Sequence, residues 1–185
     1  MIIAAVSSTT SAQVQSVAIS YYGQGYIRPG VKAGVNYTFR SWTHACKDSS
    51  KIKERSLILQ PQIGAYWKHN SYTGAVLNAE GGIVFHSASK KVYSAYTAGI
   101  AYMAHFEVMS FTADFSGKIG NKKYELRNYL LPTINLEYGW FPLNNLGLFS
   151  KLTMGWRLSP NYDATLLPSA ELGIRWRINK PTESE

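Results

Sequence analysis

The chain holds one cysteine, Cys46, in 185 residues. A lone thiol excludes an internal disulfide and a cysteine-rich zinc site. No apolar run approaches the ~20 residues that a membrane-spanning helix needs. Charge is scarce, at 16% of residues, and unbalanced, with 11 acidic against 19 basic residues. The 4 histidines stand at no metal-site spacing. There is no phosphate-cradling glycine loop and no Ser-His-Asp order, and nothing calls for a cofactor or a metal. The net charge of +8 still asks for an anionic partner, nucleic acid or an anionic surface among them.

Aromatics and glycine are what the chain has in quantity: 13 Tyr, 5 Trp and 15 Gly. The chain also repeats itself. "LLPTINLEYGW" (130–140) returns as "LLPSAELGIRW" (166–176). In the second copy Leu166, Pro168, Ala170, Leu172, Ile174, Trp176 and Ile178 share one parity, and Ser169, Glu171, Gly173, Arg175 and Arg177 share the other. A period of two is a β-strand, because successive side chains point to opposite faces. Between the copies Leu148, Leu152, Met154, Trp156 and Leu158 oppose Lys151, Thr153, Gly155 and Arg157. The repeat therefore spans two strands and two connections, one up-and-down unit.

The same alternation predicts strands near 30–40, 55–68, 73–86, 91–105, 108–117, 125–140, 147–158 and 165–178. Turn residues separate most of them, as in "HNSYTG", "SASKK", "GKIGNKK", "FPLNNLG" and "SPNYD". Eight such strands suit a closed antiparallel up-and-down barrel over residues 30–178, all-β in class. Residues 1–12 read as the end of a secretory signal, apolar and then small. Residues 13–29 alternate briefly and are compatible with a ninth strand or a plug; they are taken as a periplasmic lead-in. Residues 179–185 form a polar tail.

Parity does not say which face is inside. Three features put the apolar face outside, against lipid. The other face is too charged for a greasy pocket: Lys32, Glu80, Glu137, Lys151, Arg157, Glu171, Arg175 and Arg177 are expected to neutralise one another in the lumen, with Glu171–Arg157 and Glu137–Arg175 as candidate pairs. The tryptophans lie at strand ends, Trp67, Trp140 and Trp176 near one rim and Trp156 and Trp42 near the other, as in an interfacial aromatic girdle. Pro61, Pro132 and Pro168 fall within strands on the apolar face, where a bulge or a loosened pairing is expected.

The closing "ELGIRWRI" resembles the C-terminal signature read by the barrel-assembly machinery, with Glu171, Gly173, Trp176 and Ile178 at the matching positions. In that family the signature usually ends the chain; here "NKPTESE" follows. Over residues 26–178 the chain resembles the small outer-membrane β-barrels of Gram-negative bacteria. Within them it is similar to a subgroup that pairs openings like "RPGVKAGVNYTF" with "TGAVLNAEGG" and "LLPSAELGIRWR". The resemblance implies an outer-membrane location, periplasmic termini, and outer loops at 41–54, 87–90, 118–125 and 159–164.

Some small outer-membrane barrels modify lipid A, and a deacylase of that kind needs Ser and His on one face. His69 and Ser71 have that spacing, but in a turn expected on the periplasmic side. His86 and Ser87 are adjacent and so point apart. His44 and Cys46 share the spacing in a loop, and His105 has no serine at the same-face positions. The chain thus reads as a non-enzymatic structural or accessory barrel, with a lipid A-modifying enzyme as the alternative. Ten basic residues lie in or beside the predicted outer loops, and nucleic acid is not an expected partner there. Lipopolysaccharide phosphates are the nearest anions, with Lys118, Lys122 and Lys123 as the candidate contacts. A larger outer-membrane transporter or secretion complex is the candidate protein partner.

Overall fold

The computed structural model describes residues 8–24, 28–45, 52–68, 72–87, 89–110, 123–158 and 165–178. They form β1 (Ser8–Gln24), β2 (Arg28–Ala45), β3 (Ile52–Lys68), β4 (Tyr72–His86), β5 (Val92–Ser110), β6 (Lys123–Trp140), β7 (Leu146–Arg157) and β8 (Thr165–Arg177). Every strand pairs antiparallel with its sequence neighbours, and β1 pairs with β8 to close the barrel.

Two strand assignments change. Residues 13–29 do not lead into the barrel: residues up to Gln24 belong to β1, whose Val17, Ile19 and Tyr21 face outward while Ser16, Ser20 and Tyr22 are buried. The inward residues there are mostly small, which weakens the alternation without breaking it. Conversely, of the strand expected at 108–117, residues 108–110 belong to β5 and the rest lie outside the described residues. β5 runs on through Ser110, and its parity continues unbroken from buried Tyr93 to buried His105. The count of eight is preserved, with β1 gained and 108–110 run into β5.

That exchange inverts the first half of the barrel relative to the second. Both described chain ends and the connections 46–51, 87–91 and 141–145 lie at one end, here the terminal end. Connections 25–27, 69–71, 111–122 and 158–164 lie at the opposite end. The loops expected together on one side are therefore split. The girdle changes likewise: Trp42, Trp140 and Trp176 stand at the terminal end, and Trp67 and Trp156 at the opposite end. Each rim keeps exposed tryptophan, with Trp67 and Trp42 exchanged relative to the expected sides.

The apolar parity faces outward all round. Ile19, Ile63, Leu77, Ile100, Ile134, Leu152 and Leu172 are all exposed, Leu172 by 66%. In water such a wall would aggregate. In a bilayer it is the surface that a closed barrel presents, its strands bonded edge to edge all round.

Pro61 and Pro132 sit where one ladder lapses. The β2–β3 register passes from Gly34↔Gln62 to Tyr37↔Leu59, omitting the pairs around Pro61. The β6–β7 ladder stops at Thr133↔Gly155 and resumes at the isolated bridge Leu130↔Leu158, two residues beyond Pro132. The residue of β1 that would face Pro168 lies outside the described residues, and its β7 pairing, Met154↔Pro168, is kept. Each proline lacks the N–H that its position would donate, and the register continues unshifted across Pro61 and Pro132. Pairing is loosened there, with no bulge. The register shifts lie elsewhere, between Thr10 and Gln13, Val14 and Ser16, Thr38 and Arg40, and Val108 and Ser110.

Candidate lumen network and barrel rims

The strand parities aim the charged residues into the lumen, where the barrel wall removes them from water. Lys151 on β7 reaches across to β4, and its Nζ stands 2.6 Å from both carboxylate oxygens of Glu80, with both side chains fully buried. Asn78 and Thr97 also donate to that carboxylate, at 2.5 and 2.9 Å. Lys32 on β2 bonds Glu171 on β8 at 2.5 Å, and Ser20, on the intervening β1, donates to the same carboxylate at 3.1 Å. Arg175 and Glu137 make a two-bonded pair, at 2.6 and 3.1 Å, across β7. Tyr93 hydroxyl donates to Glu137 at 2.7 Å and accepts from Arg175 at 2.6 Å. These buried charges are paired and hydrogen-bonded, the condition under which they can be tolerated in a low-dielectric interior.

Seven of the eight expected lumen charges are buried as expected, and Glu137–Arg175 pairs as expected. Arg157 does not pair with Glu171. It stands opposite Thr165, six residues before Glu171, which is about 20 Å along a strand and beyond an arginine's reach. Its guanidinium lies over the Tyr129 ring instead, 5.0 Å from the centroid. Lys32 takes its place at Glu171.

The lumen also carries bulk that the sequence reading did not expect. Tyr22, Tyr66, Val76, Met103, Tyr129 and Leu131 fill it toward the end opposite the termini. Ile58, Val84, Tyr93, Phe141 and Phe149 fill it toward the terminal end. Several of these rings lie over glycines: Phe149 against Gly173, Tyr93 against Gly139, and Phe141 against Gly147. A Cβ on Gly173 would come within 2.6 Å of the Ile19 carbonyl and the Phe149 ring. Gly173, a residue of the assembly signature, therefore also has a packing role. Trp176 and Ile178 of that signature point outward, 53% exposed each, where another protein can reach them, while Glu171 is buried.

Small spaces remain between these layers. One of about 20 Å³ lies among Ser16, Asn36, His86, Tyr93, Arg175 and Arg177, and another of similar size among Lys32, Asn78, Thr133, Thr153 and Ser169. Each holds about one water, no substrate. A groove of about 830 Å³ lies on the outer wall across β4–β7, bordered by Ile83, Phe85, Tyr96, Ile134, Leu136 and Met154, and faces the membrane.

Of the histidines, His105 is buried edge-on to Tyr66 and Tyr129, with ring centroids 5.8 and 6.1 Å away. His86 lies 6.0 Å from the Tyr93 ring at the terminal end. His69, Ser71 and Cys46 lie outside the described residues. The connection 69–71 leaves from the end opposite the termini, not from the side on which the sequence reading put it. Among the described residues no three His, Cys, Asp or Glu stand together as a metal site.

The basic residues separate with the loops. Lys118 and Lys122 lie outside the described residues, in the connection 111–122, and Lys123 opens β6 beside it at the end opposite the termini. Arg40, Arg55, Lys90 and Lys91 stand at the terminal end. Arg40 lies just past the irregularity between Thr38 and Arg40, and both Phe39 and Arg40 are exposed there.

This barrel has solved counterparts. The N-terminal β-barrel domain of Pseudomonas aeruginosa OprF superposes with a TM-score of 0.56 at 14% identity, over 91% of this chain and 100% of that chain. Neisserial surface protein A superposes with a TM-score of 0.58 at 12% identity, over 91% of this chain and 99% of that chain. The chain has the fold of the small outer-membrane barrels of Gram-negative bacteria. No family model and no curated protein matches its sequence. What is shared with those barrels is thus the architecture, a closed antiparallel β-barrel.

Proposed function

We propose that this outer-membrane barrel is a non-enzymatic structural or accessory protein that works through its outer wall and rims. One observation carries the reading: the lumen is occupied from wall to wall by the Lys151–Glu80 pair and its neighbours. A barrel so filled offers no aqueous path and no interior substrate site, which leaves the surfaces to do the work. The termini then face the periplasm, and 111–122 and 158–164 face outward, as longer outer loops do in this architecture. Lys118, Lys122 and Lys123 contact the phosphates of lipopolysaccharide from that side, and a larger outer-membrane complex is a further candidate partner.

The test is lipopolysaccharide co-purified per barrel, wild type against the Lys118→Gln/Lys122→Gln/Lys123→Gln variant, across a salt series. The variant should carry less, most clearly at low salt, where the Debye length exceeds ~10 Å. Equal amounts at every salt concentration would refute the contact. Mass analysis of the lipid A released from the same preparations tests the non-enzymatic part, since loss of an acyl chain dependent on this barrel would make it an enzyme.

A further inference from the structure

Arg40 on β2 and Arg55 on β3 stand on the outer wall at the terminal end. The register pairs Arg40 with Leu57 and Trp42 with Arg55. The two arginines are therefore diagonal neighbours on one face, about 7–8 Å apart at the backbone. Both are exposed. Glu54, next to Arg55 in sequence, has the opposite parity and is paired with Lys90 at 3.2 Å. Among the described residues neither arginine has a carboxylate partner.

Their surroundings are those of a membrane interface. The Arg55 guanidinium lies 5.3 Å from the Phe85 ring centroid, and Phe85 packs edge-on against the exposed Tyr96. Along β3 the outward residues run Arg55, Leu57, Leu59, Pro61, Ile63, Ala65 and Trp67. Twelve residues at ~3.3 Å, on a strand tilted ~40°, cover about 30 Å of membrane depth, the thickness of the hydrocarbon core. With Trp67 at one interface, Arg55 is at the other, level with headgroup phosphates. Two exposed arginines at diagonal positions of neighbouring strands, neither with a carboxylate partner, are a like-charged pair, and a phosphate held between their fork-shaped donors would neutralise both.

We propose that Arg40 and Arg55 form a site for the phosphate of an anionic phospholipid, with Trp42 and Phe85 against the glycerol and upper acyl region. The lipid is a phospholipid of the leaflet at the terminal end. This choice of source rests on the orientation proposed above, because lipopolysaccharide occupies the other leaflet.

The experiment refolds the barrel into vesicles of equal phosphatidylglycerol and phosphatidylcholine, extracts it in mild non-ionic detergent, and counts retained lipids by native mass spectrometry. Folding of each variant is checked by its heat-dependent gel mobility. Wild type should retain phosphatidylglycerol preferentially. Each Arg→Gln change at 40 or 55 should lower that preference by roughly fivefold, the effect of one basic residue at an anionic surface. Arg40→Lys/Arg55→Lys, which keeps the charge but loses the fork, should fall between wild type and the double Gln variant, and it keeps the test available should the Gln pair fail to fold. An unchanged preference in the double Gln variant, or displacement of the lipid by millimolar inorganic phosphate, overturns the site. Loss of co-purified lipopolysaccharide from cells making the double Gln variant, with phosphatidylglycerol retention intact, overturns the phospholipid assignment and reverses the orientation, a result distinct from failure of the outer-loop contact.

Discussion

Lys151→Met removes one partner of a fully buried pair and leaves the other in place. Glu80 would keep its bonds from Asn78 and Thr97 but lose the ammonium that contacts both its oxygens. Neutral donors stabilise a carboxylate without cancelling its charge. Breaking a buried pair from one side costs about 3–5 kcal/mol, chiefly through the charge left behind. Met matches the aliphatic stem of Lys, so little packing is lost, and nearly all of the change reports electrostatics. Glu80→Gln in the same chain removes the stranded charge, and the amide oxygen can still accept from Thr97. The double variant should therefore lie within ~1 kcal/mol of wild type, since replacing both partners of a buried pair is often neutral.

The measurement is reversible urea unfolding in lipid vesicles, followed by tryptophan fluorescence and gel mobility, for wild type, both single variants and the double variant. A coupling energy of at least ~2 kcal/mol is expected from the cycle. If Lys151→Met alone costs less than ~1 kcal/mol, water reaches Glu80 and solvates it. The lumen would then be wet at its middle, and the inference that this barrel works through its surfaces would lose its foundation.

Three further outcomes follow from the same structure. Leu172→Arg places a charge on a lipid-facing position 66% exposed and should cost about 2–4 kcal/mol near the bilayer midplane, and equal stability of the variant in vesicle refolding would refute the polarity of the wall. Pro132→Val supplies the N–H missing opposite Trp156 and should slow amide hydrogen exchange around Leu131 and Arg157; unchanged exchange would mean that proline is not what opens that ladder. Trp176→Ala should lower the amount of assembled barrel in cells while changing stability in vitro little, whereas Gly173→Val should lower both, by about 1–3 kcal/mol in stability, because its Cβ meets the Phe149 ring and the Ile19 carbonyl. Normal cellular levels of Trp176→Ala would argue against recognition through β8.

The C-terminal half of the barrel was legible because both parities there are chemically extreme. Leu172, Ile174 and Trp176 alternate with Glu171, Arg175 and Arg177, and no other secondary structure fits. β1 was harder to read because its lumen face is small. Ser16 and Ser20 are there to hydrogen-bond Asn36 and Glu171 in a crowded interior, and serine between apolar residues looks like a loop. β5 misled in the opposite sense. At 19 residues it is longer than a bilayer needs, so its extension past His105 read as a second strand, and the register irregularity between Val108 and Ser110 falls in that extension. Pairings within the lumen were legible only where they skip a single strand, as Glu137 and Arg175 do. Lys151 finding Glu80 on the far wall depends on barrel closure, which local periodicity does not encode.

Strand order mattered more for function than strand count. Gaining β1 and running 108–110 into β5 leaves eight strands and the same C-terminal half, yet it moves each connection before residue 110 to the other end. The basic residues, which a single-sided reading gathered into one anionic contact, become two groups on opposite leaflets. Lys118, Lys122 and Lys123 go with 111–122, and Arg55, Lys90 and Lys91 go with the termini, where Arg40, not one of the ten, joins them. On the orientation and contacts proposed above, those groups face different anions in an asymmetric membrane, lipopolysaccharide phosphates on one side and phospholipid phosphates on the other, and a barrel gripping headgroups at both rims would resist tilt and vertical displacement. The lumen network serves the same end from inside, because a cross-braced barrel holds its rims at fixed separation.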